Sequence, residues 1–329
     1  MTRFLFYPGC SMDTSARAYS ESLDAICGPL GLDLAEIRDW NCCGATEYAG
    51  LGLHPAYALI GRNLALAAGQ ADGTRTLIAS CSACYLNLAK TDRYMRDSPV
   101  LNERVNSALE AGGLHYEPGS VEVRHLLDVI VNDVGLARVR ESVVRPLHGL
   151  RVAPYLGCMV PRPDPDGRFA DHDRPKTLDH LLGALGADVV EFPLATECCG
   201  GHMTQVSPRT GFELIHRLVR AAESSGADLM ATVCPMCQIN IDAFQAEMNR
   251  ALGTHHRMPI VFFTQLMGVA FGMEPAKVGF GRELVDARPA LARITPVPPA
   301  EEQAPPRRGG RPKGPALPMP EMHGEEVAP

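Results

Sequence analysis

The chain has 329 residues, enough for two domains of roughly 150 residues each, and a formal net charge of −7. That charge argues against a nucleic-acid binder, whose usual footprint is a basic face. No window offers the roughly 18 uninterrupted apolar residues of a membrane helix. The opening MTRFLFYPGC has one positive charge and too short an apolar run for a secretory signal. A cytoplasmic location is therefore expected, with any membrane association peripheral and through partners.

Taken in chain order, RFLFY reads as a strand running into Cys10. SARAYSESLDAICGPLG has a serine start, apolar residues at helical spacing and a glycine stop. LDLAEI reads as a strand before the adjacent pair Cys42-Cys43, ALIGRNLALAAG as a helix, RTLIAS as a strand into Cys81, and YLNLAKTDRYM as a helix. The second half repeats the order. LRVAPYL leads to Cys158, TLDHLLGALG is a helix, ADVVEFP precedes the pair Cys198-Cys199, GFELIHRLVRAAESSG is a helix, and DLMATV leads to Cys234. VRHLLDVIVND and VFFTQLMGVAFG are matching closing elements. Strands alternating with helices predict βαβ units and a mainly parallel sheet in each half. The expected class is α/β, with two tandem, duplicated Rossmann-like domains over residues 1–147 and 148–294. From residue 295 the chain holds 10 of its 27 prolines and almost no apolar periodicity, so 295–329 is read as a disordered tail.

Eleven cysteines in a cytoplasmic chain point to metal or redox chemistry, because disulfides are disfavoured there. They fall into two series, with Cys27 left over. The first reads C-x31-CC-x37-CxxC (Cys10, Cys42, Cys43, Cys81, Cys84) and the second C-x39-CC-x34-CxxC (Cys158, Cys198, Cys199, Cys234, Cys237). The offsets are 148 (Cys10 to Cys158), 156 (Cys42 to Cys198) and 153 (Cys81 to Cys234). The flanks repeat as well: FYPGC with PYLGC, NCCGA with ECCGG, IASCSAC with ATVCPMC. A self-similar period this long predicts duplicated domains rather than a solenoid. In open α/β sheets ligands bind at the carboxyl ends of strands, so five thiols per half are expected to converge on one rim.

A structural zinc site takes four ligands, one fewer than each half provides. Neighbouring cysteines point in different directions and suit a polynuclear cluster. Zinc in one half stays open, and a thioredoxin-like use of either CxxC is secondary, since each comes with three more cysteines. The compact C-x2-C-x2-C run of ordinary cubane clusters is absent. Cys27, on the apolar face of a helix, is expected to be a buried small hydrophobe. No dinucleotide fingerprint or phosphate loop is present, so this chain is expected to bind neither flavin nor nicotinamide.

On these two series the chain resembles the CCG-domain family, and within it the B subunits of the heterodisulfide reductases. The likeness covers residues 3–272, and FYPGCSMDTSARAYSESL and DWNCCGA are close to family wording. The resemblance implies a non-cubane [4Fe-4S] cluster in each half, held by Cys10, Cys42, Cys43, Cys81 and Cys84, and by Cys158, Cys198, Cys199, Cys234 and Cys237. It implies two-electron reduction of a thiol/disulfide substrate, or the reverse. Cys198, Cys199 and Cys234 are then expected to serve the chemistry, with His202 as the candidate proton donor. His202 also reads as a residue donating to a cluster sulfur, or as a surface residue; His172 and His54 are weaker candidates. The implied partners are the other two subunits of such a complex: the C subunit, which carries cubane iron–sulfur clusters, and the flavin-containing A subunit. The alternative is an electron-relay subunit of a succinate dehydrogenase or fumarate reductase-type complex, exchanging electrons with quinone. A structural zinc scaffold is the non-redox reading.

Overall fold

A computed structural model describes residues 1–162 and 174–296. Of the expected tail only Thr295 and Pro296 are described, and His172 also lies outside the described residues. The first half runs β1 (Thr2–Tyr7), α1 (Arg17–Leu30), β2 (Leu32–Glu36), α2 (Tyr48–Leu51), α3 (Leu53–Gly69), β3 (Thr76–Ala79), α4 (Ser82–Asp97), α5 (Pro99–Glu110), β4 (Glu122–His125), α6 (Leu126–Val129) and, after a π-helical turn, α7 (Leu136–Ser142). The second runs β5 (Arg151–Tyr155), α8 (Thr177–Ala184), β6 (Asp188–Val189), α9 (Met203–Val206), α10 (Pro208–Ser224), β7 (Leu229–Thr232), α11 (Pro235–Ala243), α12 (Gln245–Leu252), β8 (Ile260–Phe262), α13 (Phe263–Ala270) and α14 (Arg288–Leu291). Each half holds one four-stranded sheet, ordered β2-β1-β3-β4 and β6-β5-β7-β8, and every pairing is parallel. The α/β class and the duplication stand.

Strand alternation assigns the two faces of each sheet. Phe4 and Phe6 of β1 enter one core while Leu5 and Tyr7 enter another, as period-two side chains must. Val152 of β5 joins the first core, and Ala153 and Tyr155 join the second. Both cores therefore draw on both halves, and residues 1–296 form one compact unit. The seam is densest where α1 meets α13. Tyr19 stacks on Phe262 with ring centroids 4.5 Å apart, and Ser22 Oγ lies 2.6 Å from Thr264 Oγ1 in a fully buried contact. The Tyr19 hydroxyl donates to the Ser80 carbonyl at 3.1 Å and faces the Val233 carbonyl at 3.5 Å, so one side chain spans the ends of β3 and β7.

One strand is much shorter than its sequence predicts. ADVVEFP yields only the two residues of β6. Beyond Val190 the chain leaves the sheet: Phe192 is buried in the second core, Pro193 has no N–H for a ladder, and the Ala195 carbonyl accepts the Leu156 and Gly157 N–H groups. The chain is thereby folded over the end of β5. Cys27 also departs from expectation. It is half-buried beside the seam core, and burial pushes its thiol up to about 12.

With cores shared in this way, calorimetry is expected to show one cooperative transition for both halves. Tyr19→Ala is expected to cost about 3–5 kcal/mol and Tyr19→Phe about 1 kcal/mol. Two separated transitions in the parent protein would contradict the shared cores.

Candidate functional site

The thiols are delivered by strand ends and helix starts. β1 and β5 end in Tyr7 and Tyr155, and three residues later come Cys10 and Cys158. β3 and β7 run into Cys81 and Cys234, which are the N-cap residues of α4 and α11. Cys84 and Cys237 follow in the first turns. Each CxxC thus sits at the positive end of a helix dipole, which favours thiolate. The glycines before Cys10 and Cys158 are shaped by this packing. Gly9 (φ 77°) and Gly157 (φ 68°) are left-handed, and a Cβ on either would stand 3.0 Å from Cys84 Sγ or 3.1 Å from Cys237 Sγ.

The Cys-Cys loops are pinned by matched contacts. Tyr7 donates to the Asn41 carbonyl and Tyr155 to the Glu197 carbonyl, each at 2.8 Å and each just before a pair. Asn87 Nδ2 donates to the Cys43 carbonyl at 3.2 Å, and Asn240 Nδ2 to the Cys199 carbonyl at 2.7 Å. The Gly44 and Gly200 N–H groups each donate to the sulfur two residues back, Cys42 and Cys198, at 3.3 Å.

Each set runs from an exposed rim, at Cys10 and Cys198, to buried thiols at Cys43, Cys81, Cys84, Cys199, Cys234 and Cys237. Cys42 Sγ lies 3.6 Å from Cys10 Sγ, and Cys43 Sγ 3.5 Å from Cys84 Sγ. Such crowding decides where protons sit. Hydrogen bonds from Cys42 and Cys84 hold Cys43 down to about 3 against the opposing effect of burial. Cys198 is held down to about 6, first by a hydrogen bond from Cys158. Cys234 is held well below the thiol range by hydrogen bonds from Cys237 and then Cys81. The donating thiols Cys42, Cys158, Cys81, Cys84 and Cys237 are pushed up, chiefly because each gives its proton to a neighbour.

The Cys81 and Cys234 thiols act on one another across the halves, and Ser82, next to Cys81, lines the cavity of the second set, so the two sets abut at their buried ends. A second bridge joins the halves at the rim, where His202 Nδ1 and Glu47 Oε1 are 2.5 Å apart. Burial opposes the Glu47 charge, yet hydrogen bonds from His202 and Thr46 keep its carboxyl below the usual range. The five thiols of the second set line one small cavity of about 30 Å³ with Leu156, Met159, Met236, Gly201 and Ser82. Among the described residues no three or more Cys, His, Asp or Glu side chains surround a single-ion position.

Two matched loops with five thiols each set the chain beside known proteins. The CCG cysteine-rich domain family matches at residues 4–89 and again at 152–242. The chain belongs to the CCG cysteine-rich domain family. It is 31% identical over 288 residues to the 8-methylmenaquinol:fumarate reductase membrane anchor subunit of Wolinella succinogenes, covering 86% of this chain and 97% of that protein. It is 29% identical to the heterodisulfide reductase B-subunit-like protein of Archaeoglobus profundus, over 84% of this chain and 93% of that one. It is 24% identical to the B subunit of the ferredoxin/F(420)H(2)-dependent CoB-CoM heterodisulfide reductase of Methanosarcina acetivorans, over 89% and 97%. A hypothetical protein from Helicobacter pylori shares the fold, with a TM-score of 0.68 at 15% identity, over 86% of this chain and 52% of that chain.

The ten cysteines of the two series come together, and His202 reaches the rim between the halves. His54 does not; its Nε2 faces Arg104 Nη1 at 2.7 Å on the exposed surface. Sequence reading missed Tyr7 and Tyr155, Asn87 and Asn240, although the repeats Y-x-G-C and C-x-x-C-x-x-N carry both pairs. Glu47 and Ser82 have no such signal. In the first CCG turn, left-handed Gly44 (φ 74°) lies under the Tyr48 ring, where a Cβ would stand 2.0 Å from a ring carbon. The glycines in tightest contact with thiols are instead Gly9 and Gly157.

Gly9→Ala and Gly157→Ala are expected to lower bound iron and labile sulfide in anaerobically purified protein, because each displaces a CxxC sulfur. Gly28→Ala, in a helix with open space around it, is the control and is expected to retain the parent content.

Proposed function

We propose that this chain is the iron–sulfur catalytic subunit of a heterodisulfide reductase-like complex, reducing a disulfide by two electrons or running the reverse. Family membership and the relatives support an iron–sulfur redox role within a larger complex. The observation that carries the finer reading is the Cys81–Cys234 junction. Two five-thiol sets that abut can act on both sulfurs of one bond.

The donor set fits a polynuclear iron–sulfur group. Thiols at 3.5 and 3.6 Å share protons because they cannot all ionise side by side; bound iron removes that conflict. Five donors strung in close pairs suit several irons better than one tetrahedral ion. In this reading Cys10, Cys42, Cys43, Cys81 and Cys84 hold one non-cubane [4Fe-4S] cluster, and Cys158, Cys198, Cys199, Cys234 and Cys237 hold the other. Bound there, such clusters would supply the two electrons that reduction of a disulfide takes up.

The remaining roles fall to the chain itself. Tyr7, Tyr155, Asn87 and Asn240 fix the carbonyls of the Cys-Cys loops, and so fix the thiols. Leu156, Met159 and Met236 keep the second cavity apolar. Reduction gives two thiols, so two protons accompany the two electrons. His202 holds a transferable proton at the rim, and Glu47 orients its ring through Nδ1. The electrons would come from a flavin-containing partner through a partner with cubane iron–sulfur clusters, in a cytoplasmic assembly.

A second reading is favoured by the 31% likeness to the membrane anchor subunit of a quinol:fumarate reductase. There the same pair of sets would relay electrons to or from quinone. Among the described residues no helix is long and apolar enough to cross a membrane. Leu51, Leu53 and Val206, strongly exposed on or beside the short helices after the Cys-Cys loops, would suit a peripheral contact.

Anaerobic purification is expected to give near four irons per half with matching labile sulfide. Zinc without sulfide would remove both readings. Cys199→Ser and Cys234→Ser are expected to abolish disulfide turnover and distort the cluster spectrum, whereas Cys27→Ala keeps the full iron count. His202→Gln is expected to slow turnover by about 10²-fold or more at unchanged iron content. Full activity in both cysteine variants would overturn the assignment of the second site, and quinone-linked electron transfer without disulfide turnover would favour the relay.

A further inference from the structure

The duplication is close in its thiols but not in the residues between them. Ser82, between Cys81 and Cys84, belongs to the first half, yet it lines the cavity of the second set. Among the residues lining that cavity it has the one oxygen-bearing side chain. The side chain is buried, with 2% of the residue exposed, and Oγ has no hydrogen bond of full geometry among the described residues. A buried hydroxyl without such a bond costs free energy, so it marks a place where a partner is expected. Ser82 sits where its own strand delivers Cys81 to Cys234, at the junction of the sets.

The equivalent position in the second half, one residue past Cys234, is Pro235. It has neither a hydroxyl nor an N–H, so no matching donor is offered in return. The end of β4 shows the same bias. His125, fully buried there, has Nε2 without a hydrogen-bond partner among the described residues. Its counterpart, the N-cap residue of α13, is the apolar Phe262.

We infer that Ser82 of the first half donates its hydroxyl to a sulfur of the second site, making the second site the easier of the two to reduce. This rests on the reading of each set as an iron–sulfur site. A hydrogen bond to a cluster sulfur stabilises the more negative, reduced state and raises the potential. Ser82 is a positioning residue in this sense, tuning the site without touching substrate. Identical ligand sets would otherwise leave electrons evenly shared across the junction; the hydroxyl biases them toward the cavity that carries Cys198, Cys199 and Cys234.

The test is a redox titration of the anaerobically purified full chain, followed by electron paramagnetic resonance, with iron and sulfide counted in the same samples. Two reduction steps are expected, the higher one being the step that Cys158→Ser perturbs. Ser82→Ala is expected to lower that step by about 59 mV, a tenfold change in a one-electron equilibrium, and to leave the other in place. Ser82→Thr and Ser82→Val, which differ in hydroxyl against methyl at nearly equal shape, repeat the comparison should Ser82→Ala lose iron; Thr is expected to keep the parent potential and Val to lower it. Unmoved potentials in Ser82→Ala, equal movement of both steps, or identical potentials in the Thr and Val variants would overturn the inference while leaving two clusters in place. A parent chain without clusters would overturn the functional reading as well.

Discussion

The contact between Cys81 and Cys234 is the constraint on which the rest depends. Two thiols from separate sheets meet in a dry interior, each at the cap of its own helix. For that to happen β3 and β7 must point their carboxyl ends at one another, and the sheets must be held at fixed separation. Tyr19 does part of this by spanning the carbonyls of Ser80 and Val233, and its ring is locked by Phe262. The seam core is therefore a positioning device as much as a source of stability. Its apolar side chains fix a sulfur–sulfur spacing that neither half could fix alone.

Around that junction, symmetry is kept where the thiols must be aimed and broken where they must be used. Tyr7 and Tyr155 make the same bond to the same place in their loops, as do Asn87 and Asn240. These contacts set geometry, and both sets need the same geometry. At the rim, by contrast, Glu47 answers His202, and in the interior Ser82 answers Pro235 and His125 answers Phe262. Duplicated domains begin equal; differences confined to groups that donate, accept or repel charge are those that give two sites separate tasks.

Much of this was legible in the sequence. The alternation of apolar runs placed β1, β3, β5 and β7, because a buried parallel strand is marked by its composition and a following glycine or cysteine turn. The convergence of five thiols per half followed from the rule that loops at the carboxyl ends of parallel strands share one edge. The short β6 was not legible, since ADVVEFP has strand composition and only the burial of Phe192 and the capture of Leu156 and Gly157 by the Ala195 carbonyl end it early. Nor was the abutment of the two sets, which depends on α1 lying against α13 across more than 200 residues of chain. Ser82 illustrates the limit best. In the sequence it is the filler between two ligands of one set; only the folded chain turns it into the other.

The shared cores also bear on why the two halves remain one chain. Electron exchange and bond cleavage between two centres both fall off within ångströms, so a pair of independent domains joined by a flexible linker would populate unproductive separations. Here the linking segment after α7 leads directly into β5, whose Val152 packs in the same core as Phe4 and Phe6. The two halves thus share their cores rather than each enclosing its own. The arrangement couples stability to packing in a specific way: loosening the seam would be felt first at Cys81 and Cys234, the buried thiols where the two halves meet, before either sheet came apart.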